Sequence, residues 1–159
     1  METFHAPLKK DLSVVLPLAE KVAGVHGDAH PELVRVFEIV RSFVLEMQDH
    51  LKKEENVLFP LMTELDELSK NGGKPAFHCG SVGNPIRRMR IEHGDFDGMF
   101  SEMRSLTCDF ALPEGACKSY GALFSMLQKM DGELSSHAKY EEETLFPEAV
   151  KKESACLGE

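Results

Sequence analysis

The chain has 159 residues, 42% of them apolar and 28% charged, an ordinary globular mixture for one domain able to bury a core without disulfides. Its formal charge of −9, from 27 acidic against 18 basic residues, argues against a nucleic-acid partner, and no apolar stretch is long enough to span a bilayer. The four cysteines, Cys79, Cys108, Cys117 and Cys156, show no close-pair spacing and read as reduced thiols. The opening segment has no basic flank followed by an apolar run, so the sequence predicts a cytoplasmic protein with a single domain over residues 1–159.

Helical periodicity runs along the chain and no segment alternates as a strand would, which predicts an all-α fold. A first helix carries His5, Leu8, Leu12, Val15, Ala19, Val22 and His26 at three-and-four spacing, with Gly27 to end it. A second begins at Pro31 and repeats Leu33, Phe37, Val40, Val44, Met47, Leu51 and Leu58 on one side, with His50 and Glu54 at its edge. From Ser69 to Asn84 the chain is polar and glycine-rich, the longest predicted loop and a candidate lid. Asn84-Pro85 opens a third helix whose stripe is Ile86, Met89, His93, Phe96, Phe100 and Met103, and whose basic cluster Arg87-Arg88-Met89-Arg90 reads as a solvated face. After Pro113 a fourth helix continues through Leu123, Leu127, Met130, Leu134, His137, Glu141 and Leu145. Four such helices predict an antiparallel up-down four-helix bundle.

Two segments repeat one another. His50-Leu51-Lys52-Lys53-Glu54 runs on to Leu58-Phe59-Pro60, and His137-Ala138-Lys139-Tyr140-Glu141 runs on to Leu145-Phe146-Pro147. Residues four apart stack on one helix face, so each segment can aim an imidazole and a carboxylate at one point. The prolines should kink or end their helices just beyond each pair. His5, His50, His93 and His137 fall on the inward stripes of four helices, with His26 as a fifth on the first. Converging them with two carboxylates and no ion would leave buried polar groups unmatched, at about 1–3 kcal/mol each. Mixed imidazole and carboxylate donors suit iron or manganese in a bundle core, whereas structural zinc prefers closed thiolate sites. The expected centre is therefore two iron ions with carboxylate or oxo bridges. His5 and His50 are expected on one iron, His93 and His137 on the other, and Glu54 and Glu141 as bridges, with Glu142 as the alternative to Glu141.

These motifs resemble the hemerythrin-like cation-binding family, in which two H-x-x-x-E helices supply di-iron ligands. Within it the likeness is greatest to the repair-of-iron-centres group. It is carried by Leu16-Pro17-Leu18-Ala19-Glu20-Lys21-Val22-Ala23-Gly24-Val25-His26-Gly27, by His30-Pro31-Glu32-Leu33, by Asn84-Pro85-Ile86 leading to Glu92-His93, and by both Leu-Phe-Pro motifs. The resemblance implies a hemerythrin-like bundle with His5, His50, Glu54, His93, His137 and Glu141 as iron ligands. It implies His26 as a histidine close to the site, its ligation open.

The function implied is repair of iron–sulfur clusters after nitrosative or oxidative damage, by iron donation, with damaged iron–sulfur proteins as the iron acceptors. Two other readings fit a di-iron centre with open positions: a carrier or sensor of small diatomic ligands, O₂ or NO, and an NO-reducing enzyme. The sequence leaves enzyme status and oligomeric state undecided. Oxygen-carrying hemerythrins have an aspartate in the last motif, which Glu141 does not match, so the carrier is the weaker likeness.

Overall fold

The computed structural model describes residues 2–158, and their regular elements are all helices, with no strand among them. Helix α1 is Glu2–His26, α2 is Glu32–Lys53, α3 is Phe59–Asn71, α4 is Gly83–Leu106, α5 is Lys118–Tyr140 and α6 is Phe146–Leu157. Two short π-helical turns, Glu54–Leu58 and Glu141–Leu145, join α2 to α3 and α5 to α6. The six segments thus make the four helices of an up-down bundle, two of them interrupted by a widened turn.

The residues fall into two compact units. The first takes the chain up to Gln48 and again over Asp95–Ser135. Its core is the predicted stripe of α1, Leu8, Leu12, Val15, Ala19 and Val22, with Phe43, Phe100, Phe124 and Leu127, all buried. Phe43 meets Phe96 and Phe100 edge to face, with ring centroids 5.7 and 5.1 Å apart, the geometry that aromatic quadrupoles favour. After α4 the backbone passes through three successive left-handed residues, Cys108, Asp109 and Phe110, each disfavoured outside glycine. Packing holds them there. Phe110 is buried against Phe124, and its N–H donates to the Thr107 hydroxyl at 2.9 Å.

The second unit is Asp49–Gly94 with the chain from Ser136 onward. Leu58, Leu61, Leu65, Val82, Ile86, Met89, Phe146 and Ala149 form its apolar core. Gly72, at a φ of 76° that glycine adopts without penalty, ends α3 and opens the glycine-rich loop. That loop is shorter than its composition suggested, because α3 runs to Asn71 and α4 already begins at Gly83. Its far end is tied down by Glu153 of α6, which accepts the Val82 N–H at 2.9 Å and the Ser81 hydroxyl at 2.7 Å.

The prolines act differently from expectation. Pro60 and Pro147 stand just inside α3 and α6, and the backbone is helical on both sides of each π turn. A proline lacks the N–H of an ordinary turn and its ring crowds the carbonyl four residues back. The wider π turn accommodates both demands: Phe59 N–H donates to Glu54 O and Phe146 N–H to Glu141 O, each five residues back. The helices therefore continue past their prolines instead of stopping.

Candidate metal centre

Both π turns begin on the glutamate of an H-x-x-x-E pair. Widened turns of this kind concentrate at functional sites because they re-aim a side chain without breaking the helix. Here both carboxylates end fully buried: Glu54 and Glu141 are each 0% exposed.

Within the second unit, one donor atom each from His50, Glu54, His93 and Glu141 lies within 4.8 Å of every other. His50 Nε2 stands 3.5 Å from Glu54 Oε1, and His93 Nε2 3.2 Å from Glu141 Oε2. The other Glu141 oxygen is 3.1 Å from His137 Nε2. These approaches are close, yet neither Glu141 oxygen has a hydrogen bond of acceptable geometry.

Carboxylates also stand at the outer nitrogens of two of these histidines. His50 Nδ1 is 2.9 Å from Glu92 Oε2, and His93 Nδ1 is 3.4 Å from Glu142 Oε1. A carboxylate at Nδ1 favours the proton there and turns the Nε2 lone pair inward, the arrangement that prepares histidine to bind a metal. Inward lone pairs facing carboxylate oxygens repel unless a cation, a metal ion or a proton on the imidazole, lies between them. The donor set and its orientation thus fit a bound cation, and the imidazole and carboxylate mixture suits iron or manganese.

Glu92 is itself buried and held by cations, with Lys53 Nζ at 2.5 Å and Arg88 Nε at 2.6 Å. Burial pushes its carboxyl up, but the hydrogen bonds from Lys53, His50 and Arg88 outweigh that and keep it below the usual glutamate range. Burial likewise lowers the His50 imidazole, yet Glu54 and Glu92 together bring it above the ordinary histidine value. Glu142 is clamped by Arg90 Nε at 2.6 Å. Phe146, from the second Leu-Phe-Pro motif, stacks on the His93 ring at 9° and carries the Arg90 guanidinium over its face.

The sequence-predicted residues are distributed as follows. His50 and His93, expected on different irons, share one group, their ring centroids 5.1 Å apart. The expected pairing is corrected accordingly: α2 and α4 aim their imidazoles at the same point. His137 joins through Glu141, and Glu142 supports His93 from behind instead of replacing Glu141. His5 is buried on α1 in the first unit. His26, also in the first unit, is absent from this group; its Nε2 lies 3.1 Å from Cys117 Sγ.

Sequence reasoning missed Glu92 and the ion pairs that the basic cluster makes. Arg88 and Arg90 are exposed, as a solvated face requires, and they also pair with Glu92 and Glu142. A signal was present, since Arg88 and Glu92 are four apart on one helix and Glu92 immediately precedes His93.

A family model described as the hemerythrin HHE cation binding domain matches residues 1–149. Among curated proteins the chain is 31% identical over 147 residues to the iron-sulfur cluster repair protein DnrN of Neisseria gonorrhoeae, covering 92% of this chain and 84% of that protein. It is 30% identical over 149 residues to a probable iron-sulfur cluster repair protein of Haemophilus influenzae, covering 94% and 61% respectively. Identity to the iron-sulfur cluster repair protein ScdA of Staphylococcus epidermidis is 27% over 150 residues, covering 90% and 60%. This chain therefore matches only about three fifths of the length of the latter two. No helix among the described residues is long and apolar enough to cross a membrane.

Proposed function

The chain belongs to the hemerythrin HHE cation-binding family, and on that premise we propose that it is a cytoplasmic non-haem di-iron protein that helps restore iron–sulfur clusters damaged by nitrosative or oxidative stress. The observation that carries the metal reading is the convergence of His50, Glu54, His93 and Glu141 around two fully buried carboxylates. The names of the relatives supply the direction of the function.

In this reading His50, Glu54, His93, His137 and Glu141 would hold the iron, together with His5 as the family resemblance implies. Bound iron supplies redox change between ferrous and ferric states, open positions for a small diatomic such as NO or O₂, and metal that can be passed to a damaged cluster. The protein's own residues set how tightly it is held. Glu92 and Glu142 stand at the outer nitrogens of His50 and His93, and burial keeps bulk water from the Glu54 and Glu141 carboxylates.

The test is metal content of anaerobically purified protein, beside His50→Ala and His137→Ala variants, followed by recovery of a nitrosatively damaged iron–sulfur enzyme. About two irons per chain, lost in the variants together with repair, is the expected result. Zinc, or repair that persists without iron, would refute it.

A further inference from the structure

Far along the chain from its partner, Cys117 meets His26 at the edge of a cavity that the metal reading does not use. His26 Nε2 stands 3.1 Å from Cys117 Sγ, and both residues line a cavity of about 290 Å³ in the first unit, with Lys21, Val22, Val25 and Lys118. Each side of the pair is positioned. His26 is the last residue of α1, and a Cβ at Gly27 would come within 2.4 Å of the Ala23 carbonyl oxygen, so glycine lets the chain turn away there. The His26 ring lies against the buried Tyr120 ring, centroids 5.3 Å apart. Cys117 immediately precedes α5, whose first-turn Ser119 and Tyr120 N–H groups donate to its sulfur. Among the described residues the other three thiols have no histidine partner of this kind. Cys108 is also exposed, and Cys79 donates to the Ser81 carbonyl.

We propose that the Cys117–His26 pair is a thiol–disulfide exchange site for anionic low-molecular-weight disulfides, with Lys21 and Lys118 drawing their carboxylates into the cavity. The Cys117 proton passes to Nε2 across their 3.1 Å contact. With that proton on Nε2, the Cys117 thiolate attacks one sulfur of the incoming disulfide. A new bond joins that sulfur to Cys117 as the original S–S bond breaks. The departing sulfur keeps the electron pair and takes the proton from His26, leaving as a free thiol. Cys117 is oxidised, the departing sulfur is reduced, and no further oxidant is needed. The cavity has room for one arm of such a molecule and opens to solvent for the other. Its setting supports the chemistry: the hydrogen bond from His26 first, then those from the α5 backbone, bring the thiol down to about 7.

The experiment uses the full chain with its metal. Alkylation by iodoacetamide is followed at each cysteine by peptide mass spectrometry between pH 5 and 9, and mixed-disulfide formation is compared for glutathione disulfide and for the cationic cystamine. Cys117 should react about five-fold faster than Cys108 at pH 6.5, after allowing for the lower nucleophilicity of a more acidic thiol. Its midpoint should lie near 7, and His26→Phe or the smaller change His26→Asn should move it towards that of Cys108. Glutathione disulfide should outpace cystamine at Cys117 alone, and Lys21→Glu with Lys118→Glu should reverse the order. Equal rates at Cys117 and Cys108, or an unshifted midpoint in both His26 variants, would overturn the proposal. Iron content separates this site from the metal centre: Cys117→Ser should retain it in full, and loss of iron in that variant would also overturn the assignment.

Discussion

Along His50–Pro60 and His137–Pro147 the backbone does the same thing twice, with an α-helix, a π turn opening on glutamate, and a proline just inside the next helix. The surroundings differ. In the first copy His50 is 3% exposed, and its outer nitrogen meets Glu92 of α4, a buried acid gripped by Lys53 and Arg88. In the second copy His137 is 11% exposed, and the acid next to its ligand glutamate, Glu142, turns away to support His93 of α4. The repeat thus fixes where inner donors point, while the outer support is asymmetric. It is received from α4 in one copy and given to α4 in the other.

Removing what the copies share should have the largest effect. Glu54→Leu or Glu141→Leu takes away a fully buried carboxylate, so iron should fall from about two per chain to below one. The metal-free variants should nevertheless unfold later than metal-free wild type, by about 1–3 kcal/mol, because an apolar side chain replaces a buried ionisable group that needs the metal. Urea unfolding of the apo proteins measures this. A variant that loses both iron and apo stability would show that the carboxylates are structural.

Next come the features that differ. Glu92→Gln should weaken metal binding about 10- to 100-fold, the usual cost of losing a buried acid behind a ligand histidine. Glu142→Gln should cost less than about ten-fold, since Glu142 lies partly in solvent and its contact to His93 is longer, 3.4 Å against 2.9 Å. Competition with a coloured chelator reads both. If Glu142→Gln proved the more damaging, the asymmetry would be of geometry alone and not of function.

How much of this was legible in the sequence follows from the same contrast. The inner donors could be read because helical spacing is a local property: His50 with Glu54 and His137 with Glu141 follow from four-residue stacking alone. The buried stripes of α1 and α4 follow from the same periodicity. Which histidines meet could not be read that way, since bringing His50 beside His93 depends on how α2 and α4 are rotated against each other. The π turns were hidden for a related reason. A proline in a helical pattern forecasts a break, and whether the helix stops or widens and continues depends on packing beyond the local sequence, here with Leu58 and Phe146 buried in one core. Arg88 and Arg90 do lie on a solvated face, but the pairing of Arg90 with Glu142 depends on a neighbouring helix and could not be read from the spacing of one.

The prolines give a test of intermediate size. Pro60→Ala or Pro147→Ala restores an N–H and removes the ring that crowds the preceding turn, so the π turn can relax towards an ordinary α turn. That rotates the glutamate relative to its histidine. A loss of about 1 kcal/mol in metal binding, roughly five-fold, is expected for each variant. Unaltered affinity, with a helical spectrum unchanged, would mean that the widened turn is dictated by the surrounding core and not by proline.

The smallest effect should come where the two copies meet again beyond their prolines, at the ion pair between Asp66 of α3 and Lys152 of α6. Lys152 holds the Asp66 carboxyl below its usual range, and Asp66 in turn raises Lys152. A carboxyl lowered in the folded state stabilises it above the unfolded value, near 3.9, and that gain disappears as pH falls through the folded value. The raised lysine contributes below its unfolded value, about 10.4, and its share is lost as pH rises through the folded one. The pair should therefore act between roughly pH 4 and pH 10. Both side chains are largely in solvent, so Asp66→Asn should cost no more than about 0.5 kcal/mol at pH 7, less in high salt and less again at pH 3. Urea midpoints at the two pH values decide it. A gap unchanged between pH 7 and pH 3 would have to come from packing between α3 and α6, which would make the apolar contacts, and not the charges, the link between the two copies.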